Sequence, residues 1–530
     1  MKKFIALLKV SVRSMLVASS GIGRGKKKKA VSGFGAVLLI AGLGMYISGI
    51  YSSLLVSVLA PVGMEGMVFI FMGLAALITG LMFTAFGASG TLYGGKDNDL
   101  MLSLPVSSTQ LVAARVAAIY LENLLLSFFM LVPAGVACAV MASSGTGRTV
   151  DFWLRLVSAA LLLPLLDTAL SVLIGAVIAW LGAKMKHRAL GQNLIMAVYM
   201  VGVFWFAFSI NGMVEHLSVY AADVKASMGW AAPAVWMGDG IMGDWMALGK
   251  FALVCVIPCV LVVYGLGKCY RKAVTSFRAA SARSDYKLSA QRSSGAFRAL
   301  VAKEAKRFFG TPVYFWNCGI GLLMMVGLSV FALIKKADLM AAMAAPELSM
   351  LLLPGACAVM GFCLSTSPIC APSVSMEGKQ LWLLRESPVS ERLLIGIKTG
   401  FQLALALPCI LISAACLCLA LNLDALQTLT LVAFAVVFEV GDACFGSLVG
   451  LNFARTDLDD TSILKRSLLS FLAIFAPMAL LGLLGVAAWL IWTRAGMAVA
   501  VGTVFALTAA FALACWILLR AKGAQMLRKL

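Results

Sequence analysis

Few residues in this 530-residue chain combine the type and spacing that chemistry needs. Four carboxylates, Glu122, Asp167, Glu439 and Asp442, stand inside long apolar runs, with Asp442 one helical turn beyond Glu439 on the same face. An ionised carboxylate in hydrocarbon costs at least ~2.5 to 3.5 kcal/mol on insertion scales, so each must be paired, protonated or facing a wet path. Two readings follow. In one, the acids pair across helices with Arg115, Lys398 or neighbouring Ser and Thr; in the other, Asp167, Glu439 and Asp442 line a path and meet a cationic or amphiphilic substrate, with Glu122 above Arg115 in the same region. The stretch from Gly90 to Asp97 nearly spells a phosphate-binding loop, but no Ser or Thr follows Lys96 to hold magnesium, Asp97 would repel phosphate, and no strand is expected before it. No other nucleotide motif occurs. His187 and His216 are the only histidines, and of thirteen cysteines all but Cys269 lie in apolar runs without a Cys-x-x-Cys pair, so neither a disulfide framework nor a zinc site is expected. The chain is therefore expected to be no enzyme, and to bind no cofactor itself.

A second kind of site is a matter of spacing. Gly95-Lys96-Asp97-Asn98-Asp99-Leu100-Met101-Leu102-Ser103-Leu104-Pro105-Val106-Ser107 returns as Gly378-Lys379-Gln380-Leu381-Trp382-Leu383-Leu384-Arg385-Glu386-Ser387-Pro388-Val389-Ser390, without a gap, since 378 − 95 and 388 − 105 both equal 283. Each frame is a short polar segment between long apolar runs. Pro105 and Pro388 break the chain, so a short helix can precede each and a new helix can follow, with Ser107 or Ser390 placed to cap it. Such a segment suits docking of a partner. A membrane-embedded transferase would need clustered acids or histidines at a membrane face; the Asp97/Asp99 pair is the candidate, and its counterpart Gln380/Trp382 lacks it.

The elements that carry these residues are membrane helices. With 62% hydrophobic and 12% charged residues, the chain lies outside the makeup of soluble domains. A span needs ~20 apolar residues, and the runs divide into twelve: near 33–59, 65–90, 114–142, 152–181, 190–211 and 246–267, then 313–334, 348–371, 393–421, 425–453, 467–492 and 497–519. The fold class is thus an all-α polytopic membrane protein, with two parallel six-helix repeats. Residues 1–267 form the first unit, 268–296 a basic linker, and 297–530 the second unit. Phe4, Leu7, Leu8, Val12, Met15 and Leu16 share one helical face beside Lys3, Lys9 and Arg13, and Phe297, Leu300, Val301, Ala305, Phe308 and Phe309 repeat those spacings; both predict basic amphipathic helices on the membrane surface. Charges at Lys9 and Arg13 interrupt what could otherwise be a signal peptide, so this segment is expected to be retained.

The formal charge of +20 follows the positive-inside pattern rather than a nucleic-acid footprint. Lys26 to Lys29, Lys184/Lys186/Arg188, the cluster from Lys268 to Arg307, Arg455/Lys465/Arg466 and Arg520 to Lys529 fall on one side. The other side keeps little more than Arg148, Lys225, Lys335, Lys336 and Arg494, which predicts both termini and both frames in the cytosol of a bacterial-type plasma membrane. On the outer side, Trp230, Trp236 and Trp245 among Gly, Pro and acids in 211–245 suit an interfacial or re-entrant excursion that the second half lacks.

Taken together, the amphipathic helix, six spans, a Gly-Lys to Pro-Val-Ser segment between spans two and three, and a basic loop between spans four and five resemble the membrane subunit of a type-2 ABC exporter, twice over in one chain. The resemblance implies that Gly95, Lys96, Asp97, Asp99 and Pro105, with Gly378, Lys379, Glu386 and Pro388, belong to segments that couple to a separate cytosolic ATPase dimer, on which ATP and Mg would be bound. It implies export of an unidentified substrate. An ion-coupled secondary transporter is the alternative, since internal repeats and intramembrane acids suit that class as well.

Overall fold

The computed structural model describes residues 7–9, 28–88, 92, 98–103, 105–141, 149–184, 191–202, 228–282, 295–342, 350–454 and 468–530. The N-terminal amphipathic face is outside the described residues except for helical residues 7–9; so are Lys26, the outer excursion up to residue 227, both histidines and the basic residues 455–467. Among the described residues there is no strand, and ten helices are long and apolar enough to cross a membrane. The chain is an all-α, multi-pass membrane protein. A bilayer leaves no water for backbone amides, which is why apolar runs of this length fold as helices.

The chain divides into two compact units, residues 1–17 with 34–288 and residues 18–33 with 289–530. The first is built from α1 (Lys28–Leu59) from residue 34 onward, α2 (Gly66–Ala88), α3 (Asn98–Ser103), α4 (Ser108–Met141), α5 (Val150–Lys184), helical residues 191–202, α6 (Ala232–Met242) and α7 (Trp245–Ala282). The expected span near 65–90 is α2, and that near 190–211 is only partly within the described residues. Phe69, Phe71, Phe152, Leu156 and Phe251 meet in its core. The described part of the expected outer excursion includes α6, which packs against α2 with Met237 and Ile241 buried. Glycine permits the approach, because a side chain added at Gly238 would meet Ile70 and the Gly66 carbonyl. Trp245, by contrast, is exposed, with the Arg155 guanidinium 5.8 Å from its ring centre.

The second unit holds α8 (Ala296–Gly310), α9 (Pro312–Ile334), α10 (Lys336–Ala342), α11 (Leu352–Ser365), α12 (Cys370–Ser373), a 3-10 segment (Ser375–Gln380), α13 (Leu381–Arg385), α14 (Glu391–Leu421), α15 (Ala425–Asn452), α16 (Leu468–Ala495) and α17 (Met497–Arg528). The expected span near 348–371 is not one helix. It breaks after Ser365, where Pro368 and Pro372 remove backbone donors, and resumes as α12. Backbone groups freed inside a membrane must find partners, and here they do. The Tyr314 hydroxyl donates to the Ile369 carbonyl at 2.5 Å, and the Cys370 N–H donates to Gln402 Oε1 at 2.9 Å.

The broken segment rests on a glycine face of α15. Gly446 and Gly450, one turn apart, form the small-xxx-small spacing that lets membrane helices approach closely. A side chain at Gly450 would run into the Ala371 carbonyl, and one at Gly446 would stand 3.0 Å from Cys370 Sγ. Replacing Gly450 with Ala should therefore force α12 off α15 and cost about 1 to 3 kcal/mol as overpacking. Gly327→Ala, where an added side chain meets no atom within 4 Å, should leave the midpoint unchanged or raise it. Thermal unfolding of the detergent-solubilised chain checks both; equal midpoints for the two variants would contradict the close packing.

Candidate functional site

The segment from Gly378 to Ser390 hangs from the end of the broken helix, and the side chain of the residue before it accepts three charge-assisted hydrogen bonds. Glu377 is buried in the 3-10 segment. Its Oε2 accepts from Lys303 Nζ at 2.8 Å and Arg307 Nη2 at 2.7 Å, both on α8, and its Oε1 accepts from Lys398 Nζ at 2.9 Å, on α14. Lys398 Nζ also donates to Glu304 Oε1 at 2.6 Å and to the Ser373 carbonyl at 3.2 Å. All three of its donors are used. The result is one cluster of three cations and two anions that ties α8, the broken helix and α14 together. Burial works against the charge of Arg307, but the hydrogen bond and charge of Glu377 outweigh it and hold the guanidinium above its ordinary pKa.

α8 lies where the spacing predicts an amphipathic helix, and its apolar face is partly internal: Phe308 is buried among Tyr314, Phe315 and Phe401, while Phe297 is exposed. Glu304 and Glu377 were not singled out by sequence reasoning. The available signal was position, since Glu377 directly precedes the second frame and Glu304 is the lone acid among the bases of α8.

Beyond Glu377 the chain turns at Gly378, whose φ of +57° with ψ of −141° is a conformation that side chains resist. α13 follows, then exposed Glu386 and Pro388, and then α14, where Ser390 Oγ accepts from the Leu393 N–H at 3.4 Å. In the first unit α3 is followed by Pro105, and Ser107 Oγ accepts from the Gln110 N–H at 3.2 Å at the start of α4. The helix break and the serine cap read from the two frames are thus present in each. Gly95, Lys96 and Asp97 lie outside the described residues, and of Asp99 and Lys379 only the backbone is described.

A second site lies deeper in the second unit. Gln402 Nε2 donates to Glu439 Oε1 at 3.0 Å and to Asp442 Oδ2 at 3.1 Å, so one amide on α14 brings together both acids of α15. Since the same amide accepts from Cys370, it also fixes the break in the membrane helix. Glu439 Oε2 and Asp442 Oδ1 are buried without a hydrogen-bond partner among the described residues. Two carboxyl groups sharing a neutral amide need a proton, a cation or water to complete them. Pairing with Lys398, one of the two sequence readings, is not what forms: that ammonium is taken up by Glu304 and Glu377.

No family model, curated protein or solved structure matches this chain.

In the first unit the acid is arranged differently. Asp167 is buried on α5, where its Oδ1 accepts from Ser171 Oγ at 3.4 Å, and a side chain at Gly80 would strike its carboxylate. Ser171 Oγ and Thr84 Oγ1 lie 2.7 Å apart, joining α5 to α2. Arg115 donates to the Tyr270 hydroxyl at 2.7 Å and to the Leu92 carbonyl at 3.4 Å, and Glu122 is half-buried on α4.

Removing one partner of a buried ion cluster leaves an uncompensated charge, at a cost of about 3 to 5 kcal/mol. Glu377→Gln should lower thermal stability by that order, and Glu377→Asp by less. Combined with Lys398→Gln the loss should be smaller than the sum of the two singles by about 0.5 to 3 kcal/mol, as coupled partners require. Strict additivity in a double-mutant cycle on unfolding midpoints would show that the two groups act independently.

Proposed function

We propose that this chain is the membrane permease of an ATP-driven exporter, in which two parallel six-helix units move an amphiphilic substrate and a separate cytosolic ATPase dimer supplies the ATP and Mg sites. The observation that carries this reading is the pair of frames. α3 and α13 begin 283 residues apart, as do α4 and α14, since 381 − 98 and 391 − 108 agree. Each short helix is followed by the same Pro-Val-Ser and the same serine cap. A short rigid helix, tied at one end to buried charges and at the other to a long membrane helix, suits the task of receiving a partner's motion. Gly95 to Pro105 and Gly378 to Pro388 are the coupling segments in this reading, and twelve spans place both termini in the cytosol. Asp167, Glu439 and Asp442 line the substrate path.

One observation favours a second reading, an ion-coupled secondary transporter. The unpartnered Glu439 Oε2 and Asp442 Oδ1 offer a place for a coupling proton or cation. The energy source separates the two. In proteoliposomes with the ATPase enclosed or added, export should require hydrolysable ATP and survive an ionophore that collapses ion gradients. Transport that continues without ATP and stops with the ionophore would establish the second reading instead. Glu439→Gln and Asp167→Asn should lower transport while assembly with the ATPase persists; normal transport in both variants would remove these acids from the path.

Topology is checked separately through Cys269, which is exposed near the basic end of α7. A membrane-impermeant maleimide should label it in inverted vesicles and not in right-side-out ones. The opposite pattern would overturn the orientation and with it the cytosolic placement of both frames.

A further inference from the structure

We propose that the second unit holds the acyl chain of an anionic membrane phospholipid in a cavity between α9, α10, α11 and α14, with the lipid headgroup over Lys336. The cavity measures about 330 Å³. A dry apolar cavity of ~150 Å³ already takes a benzene-sized ligand, so this one has room for a run of acyl methylenes. Its wall comes from Met325 and Leu328 of α9, Leu339 of α10, Gly355 of α11 and Leu417 and Leu421 of α14, among others. Among the described residues, Ser329 is the one polar side chain in the lining, and its hydroxyl donates back to the Val326 carbonyl at 2.9 Å, so the described lining is apolar in character.

Two features select a lipid from the surrounding leaflet. The lip is continuous with hydrocarbon-facing surface: Leu351 and Val359 line the cavity and are exposed, and Phe331 and Ile334 beside them on α9 are exposed as well. A chain lying on that surface can enter sideways. The second feature is charge. Lys336 Nζ donates to the Leu419 carbonyl at 2.6 Å and to Asn422 Oδ1 at 2.7 Å, which fixes the ammonium at the end of α14 between the turns of lining residues Leu417 and Leu421. Capping a helix C-terminus explains one lysine. It uses two of three donors, and Lys336 lies in sequence one turn before the lining residue Leu339. A fixed cation beside an apolar slot complements a phosphate with an acyl tail. The inference does not depend on what powers transport.

Gly355 provides the test. It lines the cavity, and a side chain built there meets no atom within 4 Å, so a larger residue can occupy the space at the cavity without striking a neighbour. The full-length chain is reconstituted in nanodiscs of phosphatidylglycerol and phosphatidylcholine, each doped in turn with a phosphatidylglycerol carrying a photoreactive diazirine near its acyl terminus, and crosslinked peptides are mapped. Labelling of α9 to α11 should exceed that of the exposed Leu483, Val486 and Trp489 surface on α16 by about fivefold or more, a preference worth ~1 kcal/mol. Gly355→Phe should abolish the excess and leave the α16 labelling as it was. Lys336→Gln should keep the crosslink but erase the preference over the corresponding phosphatidylcholine probe. Equal labelling of α11 and α16 in the unsubstituted chain would overturn the proposal even if the Gly355 variant fails to fold. So would an undiminished signal in a folded Gly355→Phe, or a native mass spectrum in which a second copy of the chain, and no lipid, protects the cavity.

Discussion

The Lys398 ammonium sits on a helix that continues as a membrane span, and the layout around the second frame follows from the need to neutralise it there. A carboxylate alone would suffice for charge, but an ammonium has three donors, and each unsatisfied one would face hydrocarbon. Glu304, Glu377 and the Ser373 carbonyl meet all three. That requirement draws the amphipathic helix α8 inward at Glu304 and holds the end of the broken helix at Glu377. The surplus positive charge of the cluster is carried by Lys303, its most exposed member, with a side chain 36% accessible. The buried members are balanced, and the excess is left where water can reach it.

The break between α11 and α12 is governed by the same rule applied to the backbone. Prolines remove donors, and carbonyls are freed that a continuous helix would have engaged. From two other helices, Tyr314 donates to the freed Ile369 carbonyl and Gln402 Oε1 accepts from the Cys370 N–H. Gln402 thereby acquires a second duty, since its amide nitrogen is turned toward Glu439 and Asp442. The acids and the break are one construction. Thr399 and Ser447, 2.7 Å apart, bind α14 to α15 one turn away and keep the amide in register.

Much of this was legible in the sequence, and the parts that were not have a common cause. Apolar runs of membrane length announce helices because hydrocarbon permits little else, and the Pro-Val-Ser frames announce a break and a cap because proline and serine act locally. α13 and the start of α14 follow directly. The ion cluster was not legible in the same way, because Glu304, Glu377 and Lys398 are joined only by tertiary packing and their sequence separations carry no period. Lys398 therefore looked like a partner for the nearest intramembrane acids, whereas its partners come from a surface helix and a loop. The span near 348–371 read as continuous because its composition is apolar throughout; Pro368 and Pro372 marked a break that membrane helices often tolerate as a kink. The packing of α6 against α2 depended on Gly73 and Gly238, whose close approaches only the fold reveals.

These constraints limit how motion at the second frame can travel. A force on α13 can pass forward, through Pro388 and the Ser390 cap, into α14. It can also pass back through Gly378, where the positive φ places a flexible residue directly after the locked Glu377. The ion cluster joins these two routes, because Lys398 on α14 and Glu377 before Gly378 share a proton donor and its acceptor. Moving α13 while both ends stay fixed would shear that contact, and the low-dielectric surroundings make shearing expensive. α14 and the end of the broken helix must then move as one body, with rotation taken up at Gly378. Gln402 lies on α14 one turn beyond Lys398 and is bonded to the start of α12. Any displacement of that body therefore reaches Glu439 and Asp442 on α15 through the Gln402 amide, the Thr399–Ser447 contact and the Cys370 thiol, which meets the Ala443 carbonyl.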